Sequence, residues 1–152
     1  MQAKISMTAV YIGVMTGTSM DGLDLVAASF HPLQLHATLT VPFDEDLRDE
    51  LLALTQPGDN EIDRMGIAHV ALGKMIGEAV NQLIEENHLD RRQIKAIGSH
   101  GQTIRHRPEN AFSLQIGDPN TITNHLTECN MGNAHTVDFI IAGLRQNEKF
   151  IS

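Results

Sequence analysis

The chain has 152 residues, 41% of them hydrophobic, which suits one ordinary domain with its own core and excludes wholesale disorder. Its formal net charge is -8, from 11 Lys and Arg against 19 Asp and Glu, and no basic patch stands out, which argues against a nucleic-acid partner. Cys129 is the single cysteine and no apolar run approaches the length of a membrane span, so disulfide frameworks, cysteine zinc sites and transmembrane helices are excluded. A lone thiol suits a reducing cytosol. The N-terminus offers one Lys, a short apolar core and no small-residue cleavage pattern, so it does not read as a signal peptide. The expectation is a soluble cytoplasmic protein.

In chain order, Ala9 to Met15 is apolar enough to form a central strand. Gly17-Thr18-Ser19-Met20-Asp21-Gly22 follows, and Leu23 to Phe30 reads as a second strand. The loop therefore joins two strands. It is neither a Walker-type loop, which opens a helix, nor a GxGxxG turn. Two glycines, two hydroxyls and a carboxylate in one turn suit a phosphate with its metal ion. Glycine lets backbone N–H groups approach an anion closely, and successive N–H groups form an anion-binding concavity. Asp21 or Asp24 would reach a Mg²⁺ directly or through water. The competing reading is a plain hairpin turn, since Asp-Gly is a hairpin signal by itself.

Leu35, Ala37, Leu39 and Val41 alternate with polar residues, the period of a half-buried strand, between Pro32 and Pro42. The first part thus predicts a β-meander. Asp44 offers an N-cap, with Leu47, Leu51 and Leu54 on one helical face, and Pro57-Gly58-Asp59-Asn60 ends that helix. A longer helix is predicted from Glu61 to Glu86, with Ile62, Met65, His69, Leu72, Ile76, Ala79 or Val80, and Leu83 on its apolar face. Met65 and Met75 read as core filler, and His69 as a structural histidine rather than a metal ligand. Gly66, Gly73 and Gly77 weaken the helix, which points to close packing against another element.

Ile94 to Ile97 reads as a strand leading into Gly98-Ser99-His100-Gly101-Gln102-Thr103-Ile104-Arg105-His106, a candidate ligand loop. Gln and Thr can hydrogen-bond sugar hydroxyls, and His and Arg can meet a carboxylate or phosphate. A polar loop with a capping histidine is the structural alternative. His100 and His106 lack a third ligand at metal-site spacing. Phe112 to Ile116 alternates like a strand and ends in Gly117-Asp118-Pro119-Asn120, either a simple turn or a second loop facing a ligand.

Three segments, "GVMTGTSMDGLD" (Gly13 to Asp24), "IGSHGQTIRHRP" (Ile97 to Pro108) and "FSLQIGDPNTI" (Phe112 to Ile122), resemble the anhydro-N-acetylmuramic acid kinases in order and spacing, over roughly Tyr11 to Leu126. The resemblance implies an α/β fold: the N-terminal lobe of an actin-like ATPase (ribonuclease H-like), a mixed sheet with a β-meander and packed helices. It implies ATP and Mg²⁺ as cofactors and 1,6-anhydro-N-acetylmuramic acid as substrate. Gly17, Thr18, Ser19, Met20, Asp21, Gly22, Leu23 and Asp24 would bind the ATP phosphates, with Asp21 and Asp24 toward the metal. Ser99, His100, Gly101, Gln102 and Thr103 would lie near the sugar. Past that span the pattern departs. Glu128 to His135 does not fit, and Thr136-Val137-Asp138-Phe139 is similar to the start of the family's Asp-Phe-Arg segment but has Ile140 where Arg is expected. The expected division is a kinase lobe over 1–127 and a divergent tail over 128–152, with the second lobe absent. The general base and the adenine-side residues would then lie in the missing half, leaving the chain alone inactive and prone to self-association as a homo-oligomer. The alternatives are a non-catalytic nucleotide- or sugar-binding module, and a bare interaction domain in which both loops are structural.

Overall fold

The computed structural model describes residues 8–128 and 138–141. Its first three strands are β1 (Val10–Thr16), β2 (Gly22–Phe30) and β3 (Leu33–Pro42), an antiparallel meander as the alternation predicts. Helices α1 (Glu45–Ala53) and α2 (Glu61–Glu86) carry the chain across to β4 (Ile94–Ser99), which lies parallel to β1. A separate two-stranded hairpin follows, β5 (Gln102–Arg107) and β6 (Phe112–Ile116), then helix α3 (Pro119–Glu128). Strand β7 (Asp138–Ile141) lies parallel to β4 and gives the main sheet the order β3-β2-β1-β4-β7. Within the stretch set apart as a tail, these four residues thus belong to the sheet; 129–137 and 142–152 lie outside the described residues.

Both crossovers step in the same direction along the sheet. Right-handed connections then place α2 and α3 on one face. The inward positions of the strands, among them Ile12, Val14, Leu23, Leu25 and Ile97, pack there with Leu72, Ile76, Val80 and Leu83 of α2. Asp44 caps α1 by accepting from Leu47 N at 2.8 Å, and Leu51 and Leu54 are fully buried. On α2 the three glycines divide. A Cβ on Gly73 would sit 2.7 Å from the Asp118 carbonyl oxygen, and one on Gly77 would sit 2.7 Å from His125 Cβ, so α3 and its approach lie directly on the helix backbone. A Cβ on Gly66 would meet nothing within 4 Å.

Three expectations need correction, while the strand predicted over Phe112 to Ile116 forms. Ile62 is 79% exposed: the core face of α2 starts at Met65 and Ala68, one turn later. Leu35 is 62% exposed, because the pairing shifts register between Ala27 and Ala28; Ala37 stands opposite Ala27, but Leu35 stands opposite Ala28 on the other face. Phe112 and Leu114 are also exposed, since the β5–β6 hairpin stands apart from the main sheet and only Ile104 and Ile116 reach the core. Finally, Gln102 to Arg107 is a strand rather than a loop. The face of the main sheet opposite the helices carries Tyr11, Met15, Val26, Phe30, Leu33 and Leu35, each at least 39% exposed. Among the described residues no helix is long and apolar enough to cross a membrane.

Candidate functional site

The β1–β2 loop is a built hairpin. Thr16 pairs with Leu23 at its base, and Met20 N donates to Gly17 O at 3.1 Å across the bend. Met20 adopts φ 52 and is buried in the core, which pins the bend from below. Asp21 O accepts from Phe43 N at 3.0 Å, tying the bend to the end of β3. A Cβ on Gly22 would collide with the Val41 carbonyl, so only glycine fits there. Gly17, Thr18, Ser19 and Asp21 remain exposed at the tip. Of the eight residues singled out in this loop, Met20 and Leu23 turn their side chains into the core and offer a ligand backbone groups alone.

Asp24 lies away from the tip, on the outer face of the sheet between Met15 and Thr40, and its Oδ1 accepts from Thr40 Oγ1 at 2.8 Å. Among the described residues no group of three His, Cys, Asp or Glu converges on a metal position. Mg²⁺ bound with a nucleotide takes one or two protein carboxylates and its other oxygens from phosphate and water; Asp21 at the tip and Asp24 on the outer face are both exposed carboxylates, on different parts of the hairpin.

The second candidate loop is a tight turn between β4 and β5. Gly101 adopts φ +63, and a Cβ there would collide with the Ile116 carbonyl oxygen. Its N–H donates to Ser99 Oγ at 3.1 Å, and its carbonyl accepts from Thr16 Oγ1 at 2.9 Å. The last bond joins the two candidate loops, which are 85 residues apart in sequence. Ser99 and Gln102 are buried, at 5% and 3% exposure. His100 Nδ1 and Gln102 Oε1 are buried without a protein hydrogen-bond partner. A groove of about 560 Å³ runs over the outer face of the sheet, floored by the paired Gly13 and Gly98, and its lining includes Met15, Asp24, Thr40 and His100. It brings one residue of the first loop group and two of the second, Ser99 and His100, to a common wall.

Other polar residues of these segments serve the scaffold. Arg105 Nη2 donates to Leu54 O at 3.1 Å and pairs with Glu61, so it stitches β5 to the end of α1 and the start of α2. His106 Nδ1 lies 2.7 Å from Ser113 Oγ across the β5–β6 hairpin. His69 Nδ1 accepts from Gly117 N at 2.9 Å and its carbonyl accepts from Asp118 N at 2.9 Å, a structural histidine as expected. Asp118 accepts from Thr121 Oγ1 at 2.6 Å and from Thr121 N at 3.1 Å, and also from Asn120 N at 3.2 Å. The Thr121 hydroxyl foremost holds its carboxyl below the usual range, against the opposing effect of burial. Gly117 to Asn120 is thus the turn that starts α3. That helix was not anticipated from sequence. Asp118-Pro119 followed by Ile122 and Leu126 was its signal: a capping aspartate, a first-turn proline and two apolar residues one turn apart.

Both loops leave the carboxyl ends of neighbouring parallel strands, and they leave in opposite directions: β1 turns toward β2, while β4 leads toward β7. That end of the strands is where α/β sheets take their ligands, and the fold is an α/β domain with two polar turns side by side there. The family profile described as "Anhydro-N-acetylmuramic acid kinase" matches residues 9–143, and the chain belongs to that family. A protein of that name from Acinetobacter baylyi is 75% identical over 117 residues, covering 77% of this chain and 31% of that protein. Those from Coxiella burnetii and Shewanella loihica are 51% identical over 114 and 116 residues, covering 74% of this chain and 31% of each relative. The chain therefore spans about a third of the length of these curated relatives. A solved structure named "Reductive activator for corrinoid,iron-sulfur protein" aligns with a TM-score of 0.48 at 16% identity, over 66% of this chain and 16% of that one, too loose a likeness to bear on the fold.

Proposed function

We propose that this chain is the N-terminal lobe of an ATP-dependent kinase that opens 1,6-anhydro-N-acetylmuramic acid with water and phosphorylates it to N-acetylmuramic acid 6-phosphate, in cytoplasmic recycling of the cell wall. The strand order β3-β2-β1-β4-β7, with β2 alone antiparallel, supports an actin-like (ribonuclease H-like) lobe. The observation that carries the reading is the Thr16–Gly101 hydrogen bond, which keeps the hydroxyl-rich hairpin and the His100 turn side by side at one end of the sheet. Phosphoryl transfer asks the protein mainly for positioning and charge stabilisation. Backbone N–H groups of Gly17 to Gly22 and the hydroxyls of Thr18 and Ser19 would receive the ATP phosphates. Asp21 at the tip, or Asp24 on the outer face of the sheet, would hold Mg²⁺, which when bound offsets charge on the transferring group. His100 and Thr103 would face the sugar, with Gln102 Oε1 as a buried acceptor for one of its donors. The general base would come from the part of the relatives' length that this chain does not span. One lobe cannot close over the reactants and exclude water, so the isolated chain binds without ordinary turnover.

Calorimetric titration of the purified chain with Mg-ATP and with the anhydro sugar tests this. The expected result is saturable binding of both, with Asp21→Ala weakening Mg-ATP by about tenfold or more, the loss of one charge-assisted contact. Absence of binding to either ligand, or equal affinity in Asp21→Ala, overturns the assignment. Binding without any phosphate transfer even after the remaining segment is added back favours a non-catalytic nucleotide- or sugar-binding module.

A further inference from the structure

Thr16 stands in the motif that carries the family resemblance, yet it is neither at the hairpin tip nor open to a ligand: it is 7% exposed. Its hydroxyl reaches out of one loop into the other, donating to Gly101 O at 2.9 Å. Each loop is otherwise pinned from its own side. The hairpin is held by buried Met20 and by Phe43 N on Asp21 O. The turn is held by Ser99 Oγ on Gly101 N and by the Ile116 carbonyl behind the glycine. Beyond the β1–β4 pairing, the Thr16 bond is the side-chain link between them among the described residues, in a buried setting where a lost partner leaves the Gly101 carbonyl unsatisfied.

We propose that Thr16 is a positioning residue that couples the two halves of the site, so that order imposed on the hairpin by a nucleoside triphosphate is passed through its hydroxyl to the turn that receives the sugar. This rests on the functional reading above. Coupling of this kind is reciprocal: whatever factor ATP adds to sugar affinity, the sugar adds to ATP affinity. A purely structural threonine would change stability and leave that factor intact.

The test compares Thr16→Val, which keeps the shape and removes the donor, with Thr16→Ser, which keeps the donor. In the ligand-free 152-residue chain, amide hydrogen exchange is read at residues 17–22 and 100–103. Thr16→Val is expected to raise exchange about tenfold in both loops, the equivalent of one lost buried hydrogen bond, while Thr16→Ser stays near wild type. Faster exchange confined to 100–103, or none at all, overturns the proposal. Titration of the anhydro sugar with and without a non-hydrolysable Mg-ATP analogue gives the second reading. The expected coupling is about fivefold or more in wild type and in Thr16→Ser and close to one in Thr16→Val. Equal coupling in all three overturns it. A wild-type chain that binds neither ligand sinks the kinase assignment instead, and the exchange comparison still decides the role of Thr16. Should Thr16→Val fail to fold, Thr16→Ala replaces it as the donor-free variant.

Discussion

Alanine in place of Gly66 and of Gly77 should move stability in opposite directions, although both glycines sit in the interior of the same helix. An interior Gly costs a helix about 1 kcal/mol relative to Ala, so each substitution carries about that much in its favour. At Gly66 the new methyl meets nothing within 4 Å, and the whole gain should appear. At Gly77 the methyl would stand 2.7 Å from His125 Cβ and 3.3 Å from Ile122 O, so α3 has to shift away from α2. Overpacking of that kind costs about 1 to 3 kcal/mol, which leaves a net loss of about 1 kcal/mol. Urea unfolding followed by circular dichroism reads both. With a slope of about 2 kcal/mol per molar, the midpoints should move up and down by about half a molar. Equal stabilisation by both substitutions would refute the argument, for it would mean that α3 does not rest on the α2 backbone.

Further expectations concern the scaffold around the loops. The Asp118 carboxyl is held low, chiefly by the Thr121 hydroxyl. The stability it confers is therefore fully present above the unfolded carboxylate value of about 4 and is lost as pH falls through the lower folded value. Acid unfolding curves should show wild type losing its advantage over Asp118→Asn in that window; parallel curves would contradict the assigned cap. Arg105→Ala should cost about 2 kcal/mol in denaturant titration, since it leaves Glu61 and the Leu54 carbonyl without their partner. Asp44→Ala should cost about 1 kcal/mol by the same measurement, through the lost bond to Leu47 N.

Much of this architecture is legible in the residues because local signals and tertiary packing agree. Asp44, the Pro57 to Asn60 breaker and the apolar spacing from Met65 to Leu83 place both long helices. The Asp21-Gly22 pair between two apolar runs places the first hairpin. Legibility fails where packing overrides local pattern. The alternation around Leu35 is regular, but one extra residue in β3 inverts its facing, and nothing in the local sequence announces a bulge. Ile62 fits the helical period, yet the core does not extend under the first turn. For the site, the residue types of both loops are plain from sequence, but their adjacency is not: Thr16 and Gly101 meet because β1 and β4 pair in parallel, a long-range fact. Arg105 is the converse case, a charged side chain in a polar segment whose partners lie on two helices.

The side of the main sheet that carries Tyr11, Met15, Val26, Phe30, Leu33 and Leu35 has a practical consequence. Fluorescent probes that light up on greasy surfaces will find a platform on the native molecule before any heating begins. A thermal-shift screen for nucleotide or sugar would start bright and could register a ligand's arrival as a change of baseline, so melting of this chain is better followed by its backbone signal than by such a reporter.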